Sequence, residues 1–581
     1  MDRLSIACWY PTLACMLYLP AAQAAITVTE PAVDSVRVTQ GQEYSVYEVG
    51  NPWDMNGMDD IAVNESRNLT NLSFTGGVLS YDAVESPNII WLVYPGLPQA
   101  FRGLDRGERF PMDTARYRFL TIKLRMNDLN GQPLTTDQPF IVRFFEDASR
   151  LPADAGILKA RSGTYADWTV IGWDLNDPLD YGPNSNYFWT DFPLMRGLRF
   201  NPTNQTGVHV EIDWVRLSAA PSAATNGTVA WVDDSGSGPY DVGVTDGDFT
   251  WILATTDNGT SAEVDLSRLP AGVYAVSVTD GVSTGFSSGT FAVNDAPVLH
   301  LTTPDRRGDP FRAYGIVETG NSWADIDAGD IAGTPDITNV SFNNPPGTLT
   351  GRPTSSDPRI VFNTTTPIDT TLYRMLCYTL EVKGPRDIGH GSIARIFWGD
   401  SPPTLMTGDD IVVNEGLNEY CVGDMADFPT EGGGTAWTGT PQTIRLDPHE
   451  FPVADACTSN PSPENCRDIR VDRFVLAPFH RSPGGITLRW DAVDNDDDPF
   501  ISLYFDPDRL PFNGNEGVIV ENLAQSAAAG SFQWNTATIA NGIYNVLSVI
   551  DDGRNMTRRY ATGPVEVVEA ILETIFIDSF E

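Results

Sequence analysis

A segment near the start of this chain recurs 270 residues later, and that repeat constrains the fold more than any other feature. Glu48-Val-Gly-Asn51-Pro-Trp53, followed by Asp60-Ile61, returns as Glu318-Thr-Gly-Asn321-Ser-Trp323, followed by Asp330-Ile331. Further matches keep the same order. Leu69-Thr-Asn-Leu-Ser-Phe74 answers to Ile337-Thr-Asn-Val-Ser-Phe342, and Ser86-Pro-Asn-Ile-Ile-Trp91 to Asp357-Pro-Arg-Ile-Val-Phe362. Asp113-Thr-Ala-Arg-Tyr-Arg118 answers to Asp369-Thr-Thr-Leu-Tyr-Arg374. Leu198-Arg-Phe-Asn-Pro202 answers to Ile444-Arg-Leu-Asp-Pro448, and Ile212-Asp-Trp-Val-Arg-Leu217 to Val471-Asp-Arg-Phe-Val-Leu476. A smaller unit follows each large one: Leu269-Pro-Ala-Gly272-Val-Tyr274 matches Ile539-Ala-Asn-Gly542-Ile-Tyr544. At roughly 150 residues per domain, 581 residues hold about four, and the repeat orders them large, small, large, small. The expected boundaries are a leader at 1–24, large modules at 25–220 and 299–488, small modules at 221–298 and 489–568, and a tail at 569–581.

Every module reads as β. Thr121-Ile-Lys-Leu-Arg125, Phe140-Ile-Val-Arg-Phe-Phe145 and His209-Val-Glu-Ile-Asp-Trp-Val-Arg-Leu217 alternate apolar and polar residues, as half-buried strands do. Gly and Pro punctuate them at turns. Many short strands of this kind indicate sandwiches. The large modules have room for two sheets, and the small ones suit immunoglobulin-like sandwiches.

The N-terminus reads as a secretory signal. Arg3 gives a short positive region, Leu4 to Leu19 an apolar stretch broken by Pro11, and Ala22-Gln23-Ala24 a small-residue cleavage pattern. No later segment approaches a membrane span. The formal charge of −40 argues against nucleic acid or an anionic membrane as the main partner. The mature chain keeps Cys377, Cys421, Cys457 and Cys466. Cys457 and Cys466 bracket a Pro/Ser/Asn-rich loop and are expected to close it, which leaves Cys377 for Cys421. Disulfides imply an oxidising compartment, so the protein is expected at the surface of a bacterium-like cell or outside it.

The large modules resemble the jelly rolls of the galactose-binding-like and carbohydrate-binding-module superfamily. The resemblance rests on the early Trp in an acidic stretch (Trp53, Trp323), the strands opening Asp-Thr and Tyr-Arg, and the closing Asp-x-x-x-Leu. The small modules resemble fibronectin type III-like spacers, in the second copy from Leu488-Arg-Trp-Asp to Asp551-Asp-Gly553. The tail Ile575-Phe-Ile-Asp-Ser-Phe-Glu581 is similar to the Phe-x-Asp-Gly-Phe-Glu ending of some exported gammaproteobacterial proteins, with Ser579 in place of Gly. The resemblance implies an all-β chain of two jelly-roll-like β-sandwiches alternating with two immunoglobulin/fibronectin III-like β-sandwiches.

Candidate sites follow from residue chemistry. Glu48, Asn51 and Trp53, with Glu318, Asn321 and Trp323, combine a flat ring with carboxylate and amide groups able to fix sugar hydroxyls; alternatively each Trp fills a sandwich core. Tyr187 and Trp189 lie in the aromatic, loop-like run Tyr181 to Trp189 and are candidates for ligand contact, or else are partly buried over the sheet edge. Asp494, Asp496 and Asp498 offer closely spaced oxygens to a calcium ion, or form a solvated acidic turn. No motif calls for an organic cofactor, and no Gly-x-Ser-x-Gly, phosphate loop or His-Glu-x-x-His appears. The expected function is non-catalytic binding of a polysaccharide or other extracellular glycan, with duplication offering avidity. The alternatives are an exported lyase or glycoside hydrolase, and a matrix or protein-binding role. The oligomeric state is not specified by the sequence.

Overall fold

The computed structural model describes residues 26–569, apart from 34–35, 64–65, 96–106, 108–109, 152–153, 235–237, 317–322, 344–346, 384–392, 401–404, 409–410, 414–415, 429, 431–435, 450–456, 458, 495–496 and 525–528. The leader, the tail beyond 569, Glu318, Asn321 and Asp496 lie outside the described residues. The chain is all-β sandwich. Among the described residues no helix is long and apolar enough to cross a membrane.

The first large module has two antiparallel five-stranded sheets. One runs Arg161–Gly163, Gln138–Phe145, Gly197–Asn201, Ile90–Val93, with Gly156–Ile157 also pairing Gln138–Phe145. The other runs Thr169–Asp174, Tyr117–Asp128, Val208–Ala219, Leu79–Ala83, Leu69–Phe74. Alternation decides which face is buried. Phe140, Val142 and Phe144 point into a core shared with Leu120, Ile122 and Leu124 of the facing sheet. The second large module repeats this plan with a six-stranded and a five-stranded sheet.

Each small sandwich is completed by a strand that precedes the large module. Ile26–Glu30 pairs antiparallel with Asn226–Asp233, and Val298–Thr303 pairs likewise with Gly485–Val493. The large module is therefore inserted into the small one, between its first strand and the rest. The sequence boundary at 25 groups Ile26–Glu30 with the large module, whereas its hydrogen-bond partner lies on the small one. Among the described residues, those of 26–38, Ser222–Leu266 and Gly272–Val293 form one compact unit. The described residues of Thr39–Pro221, Ser267–Ala271 and 294–569 form a second.

Both disulfides pair as the spacing suggests, Cys377 with Cys421 and Cys457 with Cys466. Cys377 and Cys421 face each other in register across neighbouring strands, Met375–Val382 and Asn418–Asp424.

Candidate functional site

The early tryptophans are core residues, not sugar platforms. Trp53 is buried with its ring 5.6 Å from Tyr44, and Trp323 is buried with its ring 5.2 Å from Phe362. Each lends its carbonyl to the closing strand, accepting from Val215 and Phe474 respectively at 3.0 Å. Glu48 accepts from Arg116 at 2.8 Å and from Tyr117 at 3.0 Å, and its second oxygen pairs with Arg558 at 3.1 Å. Asn51 donates to Asp60 at 2.9 Å. These polar groups are engaged within the protein, and none is turned toward a ligand by the ring beside it.

The aromatic loop divides its side chains. Tyr187 is buried, its hydroxyl donating to the Phe144 carbonyl at 3.0 Å, and Trp189 is buried, its Nε1 donating to the Tyr117 carbonyl at 2.9 Å. Phe188, between them, is 45% exposed. Its ring meets the half-buried Tyr181 ring edge-on at 4.6 Å. Two bonds tie the loop to the edge strand Gly156–Ile157: Gly182 N–H donates to the Ile157 carbonyl, and Ile157 N–H to Ser185 Oγ, both at 2.9 Å.

That edge strand begins a row across the outer face of the sheet. Ile157 sits in register with Arg143, Arg143 with Arg199, and Arg199 with Trp91. Arg199 is 8% exposed, its guanidinium 5.3 Å from the Trp91 ring centre and 5.6 Å from that of Phe145. The Nε atoms of Arg143 and Arg199 are buried and have no hydrogen-bond partner among the described residues. Burial, then the like charges of Arg143 and Arg67, lower the Arg199 pKa to about 10. The outer face of the facing sheet is the opposite case. There Arg125 pairs with Glu211 at 2.7 Å, Lys123 with Asp213 at 2.8 Å and His209 with Asp82 at 2.7 Å.

The second large module carries the same sheet with its charges balanced. Arg445, the match of Arg199, donates to Asp447 at 2.6 Å and lies 3.5 Å from Asp357, which also pairs with Arg359. Phe397 stands opposite Arg445, in the place of Arg143. Val361 stands where Trp91 does, one residue from the position the sequence match suggests, while Phe362 turns into the core. Burial, opposed by Arg445 and reinforced by Asp357, pushes Asp447 up to about 7. Its side chain has no exposed area, so this carboxyl cannot reach a substrate as an acid. The loop differs as well: Trp437 repeats Trp189, donating to the Tyr373 carbonyl at 2.9 Å, but Ala436 precedes it where Phe188 precedes Trp189.

In the acidic run, Asp494 accepts from the Asp497 N–H at 3.1 Å, and Asp498 is exposed. Among the described residues no group of three or more His, Cys, Asp or Glu is placed to hold a metal ion.

No protein-family model matches this chain, and no curated protein matches it. Among solved structures it is similar to an endo-beta-1,4-mannanase from Thermotoga petrophila (12% identity, 16% of this chain and 19% of that one, TM-score 0.12). It is similar to a family 29 carbohydrate-binding module (12% identity, 34% and 89%, TM-score 0.18). It is also similar to the M60 catalytic domain with the CBM51-1 and CBM51-2 domains from Clostridium perfringens ZmpB (12% identity, 76% and 39%, TM-score 0.17). The chain spans about a fifth of the first of these and about two fifths of the last. Scores this low carry no argument about ligand or activity.

Proposed function

We propose that this chain is an exported, non-catalytic protein that binds a polysaccharide through the first large module. The observation that carries this reading is Phe188, an exposed ring braced edge-on by Tyr181 on a loop bonded to the edge of the arginine-bearing sheet. An aromatic face offers C–H contact to a sugar ring, and guanidinium donors on the adjoining strands suit its oxygens. The leader-like N-terminus supports an extracytoplasmic site of action, and so do the two disulfides. The acidic run at Asp494 to Asp498 supports testing calcium as an aid to binding.

The test incubates the purified mature protein with soluble and insoluble polysaccharides, with calcium and with chelator, and assays retention and product release together. Retention without products is expected, with Phe188→Ala lowering it about tenfold. New reducing ends or unsaturated products would overturn the non-catalytic reading. Loss of retention in chelator, restored by calcium and abolished by Asp498→Ala, would assign the ion to the acidic run.

A further inference from the structure

The two large modules come from one repeat, so a difference between them at one place in the fold is informative. On the outer face of matching sheets, the second module closes its charges: Arg445 has Asp447 and Asp357. The first keeps the arginine and drops both acids. Asn201 stands at the position of Asp447, and the sequence match of Asp357 is Ser86. It also adds a second guanidinium, Arg143, where the other module has Phe397. Exposed Phe188 replaces Ala436 on the adjoining loop.

Two guanidiniums in register, one of them almost wholly buried, repel each other and forgo water. An unpaired buried charge is costly, most of all where the loss of a partner strands it. The rings of Trp91 and Phe145 offset part of this by cation–π attraction. In the second module two acids, Asp447 and Asp357, stand beside the arginine, and the aligned positions in the first module hold Asn201 and Ser86. An anion from outside would supply the same neutralisation. The planar guanidinium fork matches a carboxylate in two parallel bonds.

We infer that the first large module binds an acidic polysaccharide of uronate type, its carboxylates held by Arg143 and Arg199 and a sugar ring resting on Phe188, while the second module has no such site. This rests on the glycan-binding reading above. The overall charge of −40 repels a polyanion at long range. Screening shortens that repulsion to about 8 Å at physiological ionic strength, so the local guanidiniums decide the contact. The duplicated modules then do not act as two equal contacts, and avidity between them is not the purpose of the repeat.

The experiment titrates the full mature chain with polygalacturonate, with the same polymer after methyl esterification, with a neutral mannan and with poly-glutamate. Polygalacturonate is expected to bind, and its methyl ester about tenfold or more weaker. Asn201→Asp restores the partner found in the second module and should weaken polygalacturonate binding about tenfold without lowering the melting temperature. Arg143→Gln, at a half-buried position, should weaken polygalacturonate binding likewise. Equal affinity for polymer and ester, or full affinity in both variants, overturns the inference. Binding of poly-glutamate as tight as that of polygalacturonate overturns the sugar-acid class. Binding of mannan alone leaves the glycan reading standing and sinks this one; binding of no polysaccharide sinks both.

Discussion

Phe188 and Trp189 are neighbours in one loop with opposite roles. Trp189 fills the core against Phe144, rings 5.3 Å apart, while Phe188 is 45% exposed with its ring edge-on to Tyr181. Trp189→Ala should therefore cost about 3–5 kcal/mol of stability in the first large module, and Phe188→Ala about 0.5 or less. Denaturant titration of the two variants checks this; equal losses would mean Phe188 is packed. The sequence shows an aromatic run but not its orientation, because a loop has no period to assign faces; of the two readings it leaves open for Tyr187 and Trp189, ligand contact or burial at the sheet edge, the structure shows both rings buried. A second residue-scale prediction concerns Asp447. Its folded pKa, near 7, lies above the unfolded value, so the folded state holds the proton more tightly. The stabilisation is complete below about pH 4 and is lost as pH rises through about 7, by up to about 4 kcal/mol. Asp447→Asn should flatten that decline in melting temperature between pH 5 and pH 8; an unchanged slope would show that another group titrates.

At the scale of elements, strands were legible wherever one face is buried. Phe140, Val142 and Phe144 alternate with Ile141 and Arg143, and the structure buries the first set. Register was less legible. Trp91 and Phe362 match in sequence, yet a slip of one residue sends one ring outward and the other into the core. The exchange of Asp447 for Asn201 was visible in the aligned repeat, but its meaning needed the cross-strand partners, which lie some 50 residues away in the chain. The disulfides test element coupling directly. Cys377–Cys421 spans 44 residues and Cys457–Cys466 spans 9. By loop-closure entropy, removing the first should cost about 4 kcal/mol and the second about 2.6. Paired Cys→Ala variants, compared by denaturation of the second large module, should keep that order. The reverse order would mean that the short loop, not the sheet, limits unfolding.

The whole molecule is a pair of insertions, and that was the least legible level. Ile26–Glu30 and its partner Asn226–Asp233 are separated by an entire large module, and no local pattern links strands across such a distance. The edge strands reinforce the point. Val36–Val38 pairs parallel with Thr284–Val293 from before its large module, whereas His480–Ser482 pairs parallel with Val565–Val567 from after the other. The same sheet position is thus filled from opposite sides of the insertion. This architecture makes the first small sandwich depend on two strands that precede the large module, Ile26–Glu30 and Val36–Val38. A chain shortened to begin at Thr39 loses Ile26–Glu30 and Val36–Val38, and its three-stranded sheet keeps two strands. A small sandwich stripped in this way cannot cover its core. Calorimetry should show the first small module's transition gone. The transition of the second small module should persist, because its first strand, Val298–Thr303, remains in the chain. If both transitions survive the shortening, Ile26–Glu30 is an ornament on the sheet, and the boundary belongs where the sequence first put it.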